Sequence, residues 1–131
     1  MERVVSTVTT ITTAKPGDSF QSVDSEGTRN LIDAAAAAGA KHFVFISFDS
    51  SGMRDAPLAA AKRDVENHLR QSGLTFTILQ PSLFMESWLG PMLFADPAAS
   101  TARVYGPGDQ PIGYVAVSDC TATSTTSATA T

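Results

Sequence analysis

Short apolar, β-branched runs alternate along this chain with segments whose apolar residues recur every three to four positions, and that alternation leaves few folds open. The first run, residues 3–9, is rich in Val and Thr and suits a strand; the loop Lys15-Pro16-Gly17-Asp18-Ser19 follows it. Phe20, Val23, Gly27, Leu31, Ile32, Ala35 and Ala36 then share one helical face, and Gly39 stands where a helix-ending glycine belongs. The run His42-Phe43-Val44-Phe45-Ile46-Ser47 is almost continuously apolar, as strands buried on both faces of a parallel sheet are. Past a polar loop at 48–55, Pro57 opens a helix with Leu58, Ala61, Val65 and Leu69 on one face, closed by Gly73. Thr75-Phe76-Thr77-Ile78-Leu79 reads as the next strand, stopped by Pro81.

The pattern predicts parallel strands at 3–9, 42–47 and 75–80, and helices at 20–38, 57–72 and 84–94, the last carrying the single tryptophan, Trp88. Strands and helices alternating through short connections imply right-handed crossovers and a parallel sheet covered by helices on its faces. Two further short strands are expected at 103–105 and 112–117, around the turn Gly106-Pro107-Gly108-Asp109. From Thr121 onward every residue is Thr, Ala or Ser, with no apolar period. Residues 1–119 are therefore expected to form the domain and 120–131 an unstructured tail.

Bulk properties exclude several classes of function. A formal net charge of −4 and a pI near 4.9 give no electrostatic grip on nucleic acid or on an anionic membrane. No apolar run approaches the roughly 18 residues of a membrane span, and the start of the chain lacks the apolar block of a signal peptide. A cytoplasmic protein is the default expectation. The lone Cys120 forms no internal disulfide and is read as an exposed thiol. His42 and His68 lack metal-ligand spacing, so structural roles and no metal site are expected.

Three stretches, in order, resemble the NmrA-like family of atypical short-chain dehydrogenases/reductases. They are Val23-Asp24-Ser25-Glu26-Gly27-Thr28-Arg29-Asn30-Leu31-Ile32-Asp33-Ala34-Ala35, then Lys41-His42-Phe43-Val44-Phe45-Ile46-Ser47, then the segment from Ala61 through Gln80-Pro81-Ser82. Phe84-Met85-Glu86, Tyr105-Gly106 and Val117-Ser118-Asp119 continue the likeness, which covers about residues 3–119. The resemblance implies an α/β fold, part of a Rossmann-like, doubly wound, three-layer parallel sheet, with NAD(P) as cofactor. It also marks two departures. The family's opening strand, glycine-rich turn and helix, whose N-terminus holds the cofactor diphosphate, have no counterpart here. The Thr/Ala/Ser segment stands where the family continues with a helix. On this reading the chain is expected to be a fragment, inactive by itself.

Dehydrogenases of this superfamily use a Tyr four residues before a Lys for acid–base work, since i and i+4 share a helix face. Lys62 occupies the lysine position and is the weak catalytic candidate, also expected to contact the nicotinamide ribose. The tyrosine position holds Leu58, which moves no proton, and neither Tyr105 nor Tyr114 has a lysine four residues on. The resemblance places Thr7, Ser47, Lys62, Pro81, Ser82 and Phe84 around the cofactor. Ser47, Asp49 and Ser50 remain open as the family's serine, and Thr7 and Thr9 read equally as cofactor neighbours or a plain strand end. Met85, Trp88 and Met92 read first as core and second as substrate-pocket lining. The intact protein is expected to be an NAD(P)H-dependent reductase of a small carbonyl or quinone. The alternative is a non-catalytic NAD(P) redox sensor acting through a regulatory protein partner. Self-association through the edge strand at 3–9 is expected of the isolated chain.

Overall fold

The computed structural model describes residues 2–11, 14–90, 95–104, 106–109 and 111–127, with side chains of the last helix described to Thr123. Strands β1 (Arg3–Ser6), β2 (His42–Ile46) and β3 (Thr75–Leu79) form one parallel sheet in the order β1-β2-β3. The register sets Val4 beside Phe43 and Ser6 beside Phe45 on one side of β2, and Phe76 and Ile78 beside the same phenylalanines on the other. The crossover helices are α1 (Thr28–Ala37), between β1 and β2, and α2 (Pro57–Gln71), between β2 and β3. This is the mixed α/β, Rossmann-like arrangement that the alternation implies.

Alternation along the strands explains where the core lies. Side chains two apart share a face, so Val4, Phe43, Phe45 and Ile78 meet Ile32 and Ala35 of α1 and Val65 and Leu69 of α2 in one cluster. On the opposite face Val44 is fully buried, whereas its neighbour Val5 on the edge strand is 52% exposed. His42 also lies on that face, and its Nε2 pairs with Thr77 Oγ1 at 2.9 Å. Gly39 and Gly73 close α1 and α2 at φ of 71° and 76°, a left-handed conformation that costs other residues dearly. Polar contacts fasten the two helices together. Asp64 of α2 accepts from Ser25 Oγ and meets Arg29 Nη1 at 3.4 Å, and His68 Nε2 lies 2.6 Å from Asp33 Oδ1.

Several elements differ from the expectation, each for a physical reason. β1 ends at Ser6 rather than at 9 because the next backbone groups are taken by side chains: Lys62 Nζ donates to the Val8 carbonyl at 2.8 Å, and Thr10 N donates to Asp24 Oδ2 at 3.0 Å. The expected helix at 20–38 opens as a π-helix over Phe20–Gly27. Ser19 and Ser22 cap its start reciprocally, each backbone N–H meeting the other hydroxyl at 3.0 Å. An apolar repeat of three to four does not distinguish α from π winding; here the winding accompanies Asp24 and Ser25, both fully buried and bonded outside the helix.

Beyond β3 the departures are larger. The helix expected at 84–94 is reduced to α3 (Met85–Trp88), because Leu83–Phe84 forms a strand, β4, paired parallel to β7 (Tyr114–Val115). The rest of that expected helix at 91–94, with Met92, lies outside the described residues. The strand expected at 103–105 is replaced by β5 (Ala95–Asp96) and β6 (Thr101–Ala102), an antiparallel pair; Tyr105 is outside the described residues. The strand expected at 112–117 keeps two residues, as β7. Of the segment expected to be unstructured, 120–127 is instead helical, within α4 (Val117–Ser127), which packs against β3; 128–131 lies outside the described residues. Thr121 and Thr123 hydroxyls donate back to the carbonyls of Val117 and Asp119, at 3.0 and 2.8 Å, so threonines that carry no apolar period still accommodate the helix. Cys120, within α4, is half-buried rather than exposed, and burial pushes its thiol up from the ordinary value.

Candidate functional site at the C-terminal edge of the sheet

Parallel α/β sheets bind ligands beyond the carboxyl ends of their strands, and there this chain gathers its buried polar residues. α2 carries Lys62 inward, on the same stripe as Val65, Glu66 and Leu69. Its ammonium lies 3.2 Å from Asp24 Oδ1, 2.8 Å from the Val8 carbonyl and 5.2 Å from the centre of the Phe45 ring. The Lys62 side chain is 6% exposed and that of Asp24 is not exposed at all. The other Asp24 oxygen accepts from Thr10, at 3.0 Å from the backbone and 2.8 Å from the hydroxyl. A buried ion pair therefore clamps the segment after β1 onto the π-helix and α2. Burial lowers the Lys62 pKa, and Asp24 opposes that shift without cancelling it.

A second polar cluster sits between β2, β3 and α2. Ser47 Oγ donates to Glu66 Oε1 at 2.7 Å, Gln80 Nε2 donates to the same oxygen at 2.9 Å, and Arg70 Nη2 meets Glu66 Oε2 at 3.2 Å. Glu66 is almost wholly buried, and these three donors satisfy its charge. The loop beyond β2 is tied down by Asp49 N, which donates to the Pro81 carbonyl at 2.9 Å, and by Ser51 N, which donates to Asp49 Oδ1 at 3.0 Å. Hydrogen bonds from Ser51 hold the Asp49 carboxyl below its usual range.

The candidates from sequence are thus only partly assembled. Lys62 is clamped to Asp24, Ser47 is bonded to Glu66, and Pro81 is joined to Asp49. Thr7 is exposed just past β1; Ser82 and Phe84 are half-buried, Phe84 within β4. Among the described residues no hydrogen bond joins Ser82 to Ser47 or Lys62. Leu58 stands half-buried in the first turn of α2. Asp24, Thr10, Glu66 and Gln80 were not singled out from sequence, although a carboxylate on an otherwise apolar helix face signals a buried partner. Among the described residues no group of three or more His, Cys, Asp or Glu is placed to hold a metal. No helix among them is long and apolar enough to cross a membrane.

Residues 2–91 match the NAD(P)H-binding family model. The chain belongs to this family. The NmrA-like resemblance of the three stretches agrees with that membership, and the family's ligand is NAD(P)H. Among similar proteins, "Photosystem II assembly factor Ycf39" of Synechocystis sp. is 37% identical over 111 residues, 82% of this chain and 33% of that protein. The Guillardia theta protein of the same name is 32% identical over 111 residues, 82% of this chain and 35% of its own length. "Uncharacterized sugar epimerase YhfK" of Bacillus subtilis is 37% identical over 65 residues, 45% of this chain and 30% of that protein. The chain spans about a third of the length of these curated relatives.

Against the NAD(P)H ligand of the family, the residues of this chain fit in part. A dinucleotide diphosphate is held by free backbone N–H groups at a helix N-terminus behind a glycine-rich turn. The π-helix spends the Ser22 N–H on the Ser19 hydroxyl, and α2 begins with Pro57, so its first turn has one donor fewer. Among the described residues no glycine-rich turn leads into a helix N-terminus. What they supply is the strand ends and the clamped lysine beside them.

Proposed function

We propose that this chain is the cofactor-flanking part of an NAD(P)H-binding protein whose output is a protein contact rather than hydride transfer to a substrate. The observation that carries this reading is Lys62. In a reductase of this superfamily its ammonium would lower the pKa of a tyrosine hydroxyl and reach the ribose. Here the tyrosine position is Leu58, and the ammonium is sealed beneath the chain surface against Asp24 and the Val8 carbonyl. Both features favour a lysine that holds structure. The assembly role in the names of the Ycf39 relatives supports a protein partner. The acidic balance of the chain argues against nucleic acid as that partner. A cytoplasmic setting is part of the same proposal.

A second reading, reduction of a small carbonyl or quinone, draws support from the open cleft at the ends of β2 and β3 and from the enzyme name of the Bacillus subtilis relative. Hydride transfer is the chemistry the nicotinamide supplies when bound; the chain's residues would only orient and shield it. The two readings separate by titrating the chain with NADPH and NADH, then adding a panel of quinones and aldehydes and following nicotinamide absorbance. The first reading expects weak binding, on the order of millimolar without a glycine-rich turn before a helix N-terminus, and no oxidation. Oxidation that disappears in Lys62→Met would overturn it in favour of the second. Micromolar binding would show that a diphosphate site has been overlooked.

A further inference from the structure

The open cleft that the second reading leaves for a substrate carries, beside the Glu66 cluster, a charge pattern to which neither reading gives a role. It is an open cleft of about 360 Å³, lined by Asp49, Ser50, Ser51 and Arg54 of the β2–α2 loop, Arg63 and Glu66 of α2, and Gln80 at the end of β3. That volume is at the small end of the range for metabolite pockets. Its floor is fixed: Glu66, bonded to Ser47, Gln80 and Arg70, ties both strands to the helix, so the walls do not depend on a ligand for their shape.

Charge accounting decides what such a cleft would hold. Glu66 is already balanced by Arg70 and two neutral donors, and so asks nothing of a ligand. Asp49 is anionic and bonded to Ser51. Arg54 and Arg63 line the same space, and among the described residues neither guanidinium meets a carboxylate. Two unmatched guanidinium groups against one carboxylate leave a surplus of one positive charge. Each guanidinium offers a planar fork of donors that matches a carboxylate. The Ser50 hydroxyl adds a donor, and Asp49, which already accepts from Ser51, can also accept a hydrogen bond from a ligand hydroxyl. A phosphate dianion would exceed the surplus and meet Asp49 unfavourably; a monocarboxylate matches it.

We propose that this cleft binds a small hydroxy acid, its carboxylate on Arg54 and Arg63 and its hydroxyl on Asp49. The site is separate from the Lys62 clamp, which lines no part of it, and it stands whether the protein is a sensor or a reductase.

The test titrates the ¹⁵N-labelled chain with glycerate, propionate and inorganic phosphate while following amide shifts. Glycerate is expected to move the backbone amides of Ser50 and Ser51 and the side-chain amide of Gln80, with propionate and phosphate each binding several-fold more weakly. Arg54→Gln combined with Arg63→Gln is expected to weaken glycerate by about tenfold or more, as loss of charge-assisted pairing does. Arg54→Gln alone, in a loop outside every helix and strand, gives the same direction should the double variant not fold. Asp49→Asn should erase the preference of glycerate over propionate while leaving carboxylate binding. Absence of glycerate shifts at these three residues, affinity unchanged in Arg54→Gln, or phosphate binding as tightly as glycerate would each overturn the proposal.

Discussion

Residues 3–79 and residues 83–127 are built from the same kinds of element and differ sharply in what those elements bury. Among the described residues every buried one lies at or before Leu69, and the fully covered side chains Ile32, Phe43, Val44, Phe45, Val65 and Leu69 all belong to the first region. In the second, β4, β5, β6 and β7 are two residues long and α3 is four. Met85, Leu89, Val104, Ile112 and Val117 are large apolar side chains left exposed there. The difference teaches that secondary structure alone does not make a core. Each of the first three strands is five residues or nearly so, long enough to put two side chains on the helix-facing side. A two-residue strand offers one per face and cannot interlock with a helix.

The largest test of this contrast is deletion of a ring in each region. Phe45→Ala removes a fully buried side chain from beneath both helices, and such truncations cost about 3–5 kcal/mol. Trp88→Ala removes a half-buried ring from α3 and should cost less than about 1 kcal/mol in the same urea titration. Native-state hydrogen exchange should agree, with slow amides in β2 and α2 and fast ones in β4 to β7. Equal losses for the two variants would mean that the second region is packed as tightly as the first.

What was legible in the sequence divides along the same line. Phe43, Phe45, Val65 and Leu69 announce themselves by period, because burial on one face of a helix or between two layers leaves a repeat in the chain. The parallel sheet, α2 and the core of α1 follow from that repeat. The Lys62–Asp24 clamp did not, since its partners are 38 positions apart and only the fold brings them together. The Ser47–Glu66 contact escaped for the same reason. In residues 83–127 the pairing of Phe84 with Val115 rests on backbone hydrogen bonds, which any residue but proline can make and which therefore leave no mark in the sequence. The helix through the Thr/Ala/Ser segment is of the same kind.

The clamp provides the next test, inside the well-packed region. Lys62→Met removes the donor that Asp24 Oδ1 and the Val8 carbonyl share, which a neutral lysine would keep, and a buried acceptor left unsatisfied costs about 1–3 kcal/mol. Adding Asp24→Asn should restore much of the loss, since the unsatisfied buried carboxylate is then gone. The pH dependence has a definite sign. Lys62 in the folded chain loses its proton below the ordinary value of 10.5. Between the two pKa values the unfolded chain therefore holds more protons, and stability rises with pH there. The burial penalty is felt in full below the folded pKa and is gone above 10.5. Urea midpoints compared with those of the Lys62→Met, Asp24→Asn pair should show this alkaline gain in the parent alone. A parent that loses stability relative to the pair over that range would reverse the assignment.

A smaller effect is expected at the edge of the sheet. β1 pairs with β2 on one side, and Val5 is half exposed. Unpaired edges recruit other strands, and charge on an edge opposes this. Val5→Lys should shift the chain toward monomer in sedimentation velocity while leaving its urea midpoint within about 0.5 kcal/mol, as surface substitutions do. A parent chain that is already monomeric at all concentrations would remove β1 as a self-association surface.

The smallest effect belongs to the second region and probes whether its parts hold one another at all. Both Glu86 oxygens accept from Val117 N, at 3.0 and 3.1 Å, so a carboxylate in α3 caps the first turn of α4 from 31 positions away. A negative charge at a helix N-terminus satisfies a free N–H and complements the helix dipole, each to the extent of about 0.3–1 kcal/mol. α4 depends on that help. Its residues 117–123 bury little, and its threonines, with branched side chains, are poor helix formers. Glu86→Gln keeps the size and one acceptor while removing the charge, and should lower helical ellipticity modestly. Glu86→Ala removes both and should lower it further, with hydrogen exchange at 118–123 faster and the β1–β3 amides unchanged. If exchange in β2 accelerated equally, α4 would be part of the cooperative core, and the boundary between the two regions would have to move.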